Sequence, residues 1–158
     1  MHHYQFSTPT DSWSDTAQQI LDTAANIIAE RYQRGDVFSN PDAVKQYLSF
    51  KLNQHDREVF AVMLLDSQHH LIEYKELFFG TIDSASVYPR EVVRHVLSSN
   101  AAAVIFGHNH PSGDCTPSQA DRRLTSRLQN ALATIDVPVL DHIVVGEKCC
   151  SFAERGWL

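Results

Sequence analysis

Two histidines and an aspartate stand close together in the stretch VIFGHNHPSGDCTPSQAD, residues 104–121. His108 and His110 are two residues apart at the end of an apolar run, and such residues project to the same side of an extended segment. Asp121 follows after a turn. Two imidazole nitrogens and one carboxylate oxygen leave a fourth tetrahedral position for water, as in a catalytic zinc site. The spacing therefore predicts a metal site with these three ligands.

The residues between the histidines and Asp121 explain how the aspartate could return to them. Residues 110–113 suit a type I turn ending at a glycine, which reverses the chain. Thr116 is expected to cap the next helix, with Gln119 as its capping-box partner. Ser118 and Asp121, three residues apart, then share one helical face that is turned towards the histidines.

Hydrolysis at a metal site also needs a general base that is not a ligand. The sequence alone does not choose among five carboxylates: Glu58, Asp66, Glu73, Glu76 and Glu91. Glu58 is attractive because it begins a buried apolar strand, although an exposed strand-edge charge is an equally good interpretation. Ser118 could donate a hydrogen bond to an oxyanion, or it could serve only the helix backbone.

Three other interpretations of the stretch are weighed against a metal site. The residues could form a strand–turn–helix corner whose histidines only bond to the backbone. Cys115 could complete a closed site, but we favour it as a bystander in the turn. The letters HNH suggest a nuclease, yet nucleases of that name spread the residues over some thirty positions of a ββα motif. The joint pattern favours metal binding.

Composition limits the classes of partner. The chain has 158 residues and a formal net charge of −6, so no global attraction to nucleic acid is expected. The cluster of Arg122, Arg123 and Arg127 is expected to be the solvated face of a helix. No apolar run is long enough to span a membrane, and the polar start lacks a signal-peptide core. A cytoplasmic protein without membrane attachment is expected.

The number and spacing of the cysteines also indicate a cytoplasmic protein. The chain has three cysteines and no CxxC pair. Cys149 and Cys150 are neighbours, which rarely close a disulfide on each other. The sequence therefore predicts a reduced, cytoplasmic chain without a disulfide framework.

Hydrophobic periodicity predicts two helices followed by a mixed sheet interleaved with further helices. The expected helices cover residues 14–34, 41–52, 89–100 and 117–131. The expected strands cover residues 58–66, 71–79, 101–107, 137–146 and 149–153, the last two as a hairpin. The predicted inward side chains are Val44, Tyr47 and Leu48, then Val92, Val93, Val96 and Leu97, then Leu124, Leu128 and Ala131. The fold class is α/β, with a helical extension at residues 1–38 and the main domain at 39–158.

With these elements in place, the sequence resembles the JAMM (MPN-type) metalloprotease signature. The matching pattern is a glutamate at a strand start, followed by His108-x-His110, seven residues and Ser118-x-x-Asp121. Four segments resemble the RadC-like branch of that family, namely HNHPSGDCTPSQAD, VYPREVVRHVLSSNAAAVI, LFFGTIDSASV and VPVLDHIVVGE. The closing CCSFAERGWL and the short helical front are similar to small RadC-like proteins of prophage-type loci. The match covers about residues 50–158.

The resemblance implies a cytidine-deaminase-like mixed sheet flanked by helices, and hydrolysis of a peptide or isopeptide bond. It also implies Zn²⁺ bound by His108, His110 and Asp121, with Glu58 as the base and Ser118 stabilising the oxyanion. His142, in the matching LDHIVV, either packs at a sheet edge, which we favour, or supports a metal ligand.

Three hypotheses for function follow. A zinc-dependent peptidase acting on a protein or peptide is the first, with a homodimer as one expected assembly. The second is a metal-containing binding or regulatory module of a mobile-element locus. The third is a DNA-repair accessory protein, which rests on the family name alone.

Overall fold

The structure is a computed structural model that describes residues 15–33, 38–82 and 86–158. The chain separates into two compact units, residues 1–35 and 36–158. The described part of the first unit is one helix, α1 (Asp15–Gln33), close to the predicted span. Gly35, the expected stop of that helix, lies outside the described residues. None of the described helices is long and apolar enough to cross a membrane.

The second unit is built on a five-stranded mixed sheet, which confirms the predicted α/β class. The strands are β1 (Val59–Leu65), β2 (Leu71–Phe79), β3 (Ala103–Asn109), β4 (Val139–Val145) and β5 (Cys149–Ser151). Their order across the sheet is β2-β1-β3-β4-β5. Among the described residues only β3 and β4 pair in parallel, and the other strand pairs are antiparallel.

Three helices cover the sheet, namely α2 (Pro41–Leu52), α3 (Pro89–Ser99) and α4 (Gln119–Ala133). The Asn40 side chain caps α2 by accepting a hydrogen bond from the Asp42 backbone N–H at 2.9 Å, and Pro41 occupies the first turn. The predicted inner faces are confirmed for most positions. Leu97 is the exception in α3, at 62% exposed, and Leu132 rather than Ala131 is the buried residue near the end of α4.

The helices lie on opposite faces of the sheet and form three layers. Phe60, Phe106, Leu124 and Leu128 belong to one buried cluster between the sheet and helices α3 and α4. On the other face, Gly107 lets α2 approach β3 closely. A Cβ atom at this position would lie 2.9 Å from a methyl group of Leu48.

Strand β3 runs two residues further than the sequence predicts, so His108 and Asn109 are part of it. Pairing with β1 on one side and β4 on the other continues to this end of the strand. All seven of its residues are buried. The polar side chains at the end of β3 are therefore in the interior, where each needs a hydrogen-bonding partner.

The expectation of a chain without disulfides is wrong. Cys115 and Cys150 form a disulfide with a Cα–Cα distance of 5.6 Å, and Cys149 is the free cysteine. The loop after β3 runs beside the β4–β5 hairpin, where the Gly113 carbonyl accepts the Glu147 backbone N–H at 2.8 Å. Spacing along the chain could not show this proximity, because it depends on how a loop packs against distant strands.

Candidate metal centre

The three predicted ligand side chains meet at the end of β3. His108 Nε2 lies 3.1 Å from His110 Nε2 and 3.3 Å from Asp121 Oδ1, and His110 Nε2 lies 3.3 Å from Asp121 Oδ2. Ligand atoms about 2.0–2.1 Å from a tetrahedral metal ion are about 3.3–3.4 Å apart. The nitrogen and oxygen donors therefore have the spacing and chemistry of a metal site, and the group could hold a metal ion.

The turn after His110 sets the direction of its ring. The Gly113 backbone N–H donates to the His110 carbonyl at 2.9 Å, and Gly113 has a φ of +90°, which favours glycine. His110 Nδ1 lies 2.8 Å from the carbonyl oxygen of Asp114. A carbonyl can only accept, so Nδ1 carries the hydrogen and the lone pair of a neutral ring is on Nε2.

Helix α4 begins at a different cap from the predicted one. Ser118, not Thr116, is the N-cap, and its capping-box partner is Asp121 rather than Gln119. Thr116 is still in a turn, since its backbone N–H donates to Asp114 Oδ1 at 2.9 Å. Asp121 Oδ2 accepts the Ser118 backbone N–H at 2.8 Å, while Ser118 Oγ accepts that of Asp121 at 3.0 Å. The cap therefore orients the carboxylate.

Opposing effects act on the ionisation of this group. Burial by itself would raise the pKa of Asp121, but hydrogen bonds from His108 and His110 in their protonated forms hold that pKa well below its usual range. The hydrogen bond to Asp121 likewise raises the pKa of His110 against the effect of burial. A carboxylate that stays ionised is the form that coordinates metal.

His142 lies behind His108, in the interior strand β4 rather than at a sheet edge. Its Nε2 is 2.7 Å from His108 Nδ1, and its Nδ1 is 2.6 Å from Thr125 Oγ1. Its ring stacks on Phe152, with centroids 4.6 Å apart. Burial, with the nearby His108, keeps the pKa of His142 well below its usual range. The interpretation that we favoured from the sequence, packing at a sheet edge, is wrong for this residue.

Glu58 directly precedes β1 and faces the same site. Phe60 is paired with His108 at the end of the antiparallel β1–β3 ladder. The Glu58 charge acts on the His110 imidazole together with that of Asp121. Glu58 is half-buried, and its Oε2 accepts the Ile82 backbone N–H at 2.6 Å.

Asn109 has a contact that the sequence analysis missed. Its Oδ1 accepts the Val59 backbone N–H at 2.7 Å, and its Nδ2 donates to the Arg57 carbonyl at 2.9 Å. The side chain therefore bonds to the residues on both sides of Glu58. Its alternation with the two histidines indicated only that it faces away from them, not what it meets there.

The other four candidate carboxylates have partners of their own. These pairs are Asp66 with His70, Glu73 with Lys75, Glu76 with His55 and Glu91 with Arg94. Two further residues weighed in the sequence analysis, Arg122 of the arginine cluster and Cys115 of the turn, also have defined contacts. The Arg122 guanidinium lies 4.1 Å from the ring centroid of Trp157, and Cys115 is committed to its disulfide.

An open groove of about 550 Å³ borders the metal centre on the side of His110. Its walls include His55, Asp56, Pro111, Gly113 and Glu147. The turn after His110 therefore supplies part of this wall, through Pro111 and Gly113.

Comparison with known proteins places this geometry in a family. The protein-family model described as RadC-like JAB domain matches residues 38–157 of the chain. The chain belongs to the RadC-like JAB domain family. Its match spans the whole sheet, helices α2 to α4 and all three side chains of the metal centre. The predicted resemblance is confirmed.

This RadC-like JAB domain is similar to UPF0758 proteins of Vibrio cholerae and Shewanella baltica. A UPF0758 protein of Vibrio cholerae serotype O1 is 67% identical over 140 residues, which are 89% of each chain. A second one from the same strain is 59% identical over the same shares. A UPF0758 protein of Shewanella baltica is 61% identical over 142 residues, and there the match covers only 63% of the relative.

Proposed function

We propose that this chain is a zinc-dependent metallopeptidase-type hydrolase that uses a metal-activated water to cleave a peptide or isopeptide bond. The observation that carries the proposal is the tetrahedral spacing of the ligand atoms of His108, His110 and Asp121. Zinc bound there would polarise a carbonyl group and lower the pKa of a water molecule.

Glu58 is the proposed general base. It is not one of the three ligands, and it lies two residues before Phe60, which pairs with His108. The Ile82 N–H holds one of its carboxylate oxygens, which leaves the other to accept a proton from the attacking water. The same group would then return that proton to the leaving nitrogen, as general acid–base catalysis requires.

Ser118 is the proposed oxyanion donor. Its hydroxyl oxygen is occupied by the Asp121 N–H, while its side chain is exposed at the start of α4. A hydroxyl that accepts one hydrogen bond still has its own hydrogen to donate. Ser118 could therefore serve the helix and a developing oxyanion together, and the two interpretations of this residue are compatible.

Metal content tests the ligands directly. Wild-type protein is expected to carry about one zinc ion per chain, and His108→Ala should lose most of it because a ligand is removed. Elemental analysis of the purified proteins measures this. A wild-type chain that takes up no zinc, or a His108→Ala chain that retains it fully, would contradict the assignment.

The base is tested by Glu58→Gln, which keeps an oxygen to accept the Ile82 N–H. Peptide mixtures incubated with the zinc-loaded protein and analysed by mass spectrometry should show cleavage. Because general acid–base catalysis contributes roughly 10²–10⁴-fold, the variant should lose about that much activity and keep its zinc. Glu73→Gln on β2 is the matched control. Cleavage by Glu58→Gln at the wild-type rate would show that the base lies elsewhere.

The remaining hypotheses appear as other outcomes of these experiments. Zinc binding with a large loss of melting temperature on chelation, and no cleavage of any peptide, would indicate a structural metal in a binding module. Salt-sensitive DNA binding that is lost on neutralising Arg122, Arg123 and Arg127 would indicate the DNA-repair accessory role.

A further inference from the structure

A file of hydrogen-bonded side chains runs from His108 away from the ligand atoms into the core. It passes from His108 Nδ1 to His142 Nε2, and from His142 Nδ1 to Thr125 Oγ1. The Thr125 hydroxyl then reaches the main-chain carbonyl of Asp121 at 2.8 Å. The file therefore starts on one proposed ligand and ends on the backbone of another, and His142 and Thr125 are buried.

The hydrogens in this file can be arranged in two ways. In the first, Thr125 donates to the Asp121 carbonyl, its oxygen accepts from His142 Nδ1–H, and His142 Nε2 accepts from His108 Nδ1–H. In the second, every bond along the imidazoles is reversed and Thr125 donates to His142. Only the first leaves a lone pair on Nε2 of a neutral His108, because the second places the hydrogen on that nitrogen.

We propose that His142 and Thr125 are positioning residues that hold His108 in its Nδ1-protonated tautomer and so direct its Nε2 lone pair at the metal. The inference rests on the metal site of the proposed function. Thr125 decides the direction of these hydrogen bonds. Its hydroxyl donates its hydrogen to the Asp121 carbonyl, so its oxygen is left to accept the hydrogen of His142 Nδ1.

The surroundings of His142 support this arrangement. Three aromatic rings surround the imidazole, with centroid distances of 4.6 Å to Phe152, 5.7 Å to Phe60 and 6.0 Å to Phe106. Between these rings the imidazole makes one hydrogen bond through each nitrogen, to His108 and to Thr125. In the first arrangement it donates through Nδ1 and accepts through Nε2.

Zinc affinity in a pair of Thr125 variants tests the proposal. Thr125→Val keeps the shape and removes the hydroxyl, whereas Thr125→Ser keeps the hydroxyl. Competition with a chromogenic chelator should show zinc bound 10–100-fold more weakly by Thr125→Val, as is typical when a group supporting a ligand is lost. Thr125→Ser should stay close to wild type, as should Thr134→Val, a control in the exposed cap of the same helix. Equal zinc affinity of the Val and Ser variants would overturn the proposal, even if Thr125→Val unfolds more easily.

The tautomer itself gives an independent result. Proton–nitrogen NMR spectra of the zinc-loaded wild type should show hydrogen on Nδ1 of His142 and none on Nε2. Hydrogen on Nε2 would overturn this inference while leaving the zinc site intact. Failure of the wild type to bind zinc would instead overturn the proposed function. His142→Phe should weaken zinc binding as Thr125→Val does, and the Thr125 pair decides if that variant does not fold.

Discussion

The side chain of Asn109 connects the end of β3, between the two histidines, to the segment that carries Glu58. Its amide oxygen accepts the Val59 backbone N–H and its amide nitrogen donates to the Arg57 carbonyl. Both backbone neighbours of the proposed base are therefore held by hydrogen bonds. The orientation of the amide is unambiguous, because a backbone N–H can only donate and a carbonyl can only accept. At the scale of residues, the site therefore depends on side chains that touch neither metal nor substrate.

Removing this amide should cost stability. Asn109→Ala leaves the Val59 N–H without its buried partner, and an unsatisfied buried group costs roughly 1–3 kcal/mol. Urea unfolding followed by circular dichroism would measure the loss, with Asn130→Ala on the exposed side of α4 as control. Zinc content should change little, while peptide cleavage falls because Glu58 is held less well. An unfolding midpoint equal to that of wild type would show that the amide contributes no stability.

At the scale of elements, the loop at residues 110–118 is positioned by its approach to the β4–β5 turn. A Cβ atom on Gly146 would overlap the Gly113 carbonyl group and lie 2.8 Å from its carbon. The same loop presents the Asp114 carbonyl to His110 and leads into the cap that orients Asp121. A displacement of this loop would therefore move both His110 and Asp121.

Two glycine substitutions separate this effect from general overpacking. Gly146→Ala pushes against backbone of the loop, whereas Gly107→Ala meets the flexible side chains of Leu48 and Leu52. Both should destabilise by about 1–3 kcal/mol, but only Gly146→Ala should also weaken zinc binding. Chelator competition and chemical unfolding of the two variants would measure these effects. Unchanged zinc affinity in Gly146→Ala would mean that the loop position does not matter to the site.

At the scale of the whole molecule, the disulfide joins the metal-site loop to the last strand across 35 residues of chain. A cross-link of that span restricts the unfolded chain and adds roughly 3–4 kcal/mol to stability in the chain-entropy account. It works together with the hydrogen bond from Glu147 to Gly113, which joins the same two segments.

Thiol titration and unfolding test the cross-link. Denatured but unreduced protein should show one reactive thiol per chain, that of Cys149, and three after reduction. Reduction, or Cys115→Ser, should lower the free energy of unfolding by roughly 3–4 kcal/mol, while Cys149→Ser should stay near wild type. Three thiols before reduction would show that the bond does not form.

The domain boundary is also a whole-molecule prediction. Phe38 is buried, lies 5.5 Å from the ring of Tyr47 and donates its backbone N–H to the His69 carbonyl. We propose that a chain beginning at residue 36 folds and binds zinc as the full chain does. A chain beginning at residue 39, the boundary predicted from sequence, should lose about 3–5 kcal/mol, as when a buried phenylalanine is deleted. Thermal unfolding of the two truncated chains compares them, and equal stability would contradict the role of Phe38.

The sequence by itself determined the local features of this protein. Strand alternation, the turn ending at Gly113 and a helix start near Ser118 act over a few residues, so they predicted most elements and brought His108, His110 and Asp121 together. Local patterns also gave one local error, at the start of α4, because Thr116 and Ser118, two residues apart, are both residue types that cap helices.

Only the tertiary structure decided which distant segments meet. Packing of β1 beside β3 brought Asn109 to Val59, next to Glu58, and parallel pairing of β3 with β4 brought His142 behind His108. The packing of α4 on the same face added Thr125, and the loop beside the β4–β5 hairpin joined Cys115 to Cys150. These contacts join residues 17 to 50 positions apart, and they depend on how whole elements pack, which residue spacing does not encode.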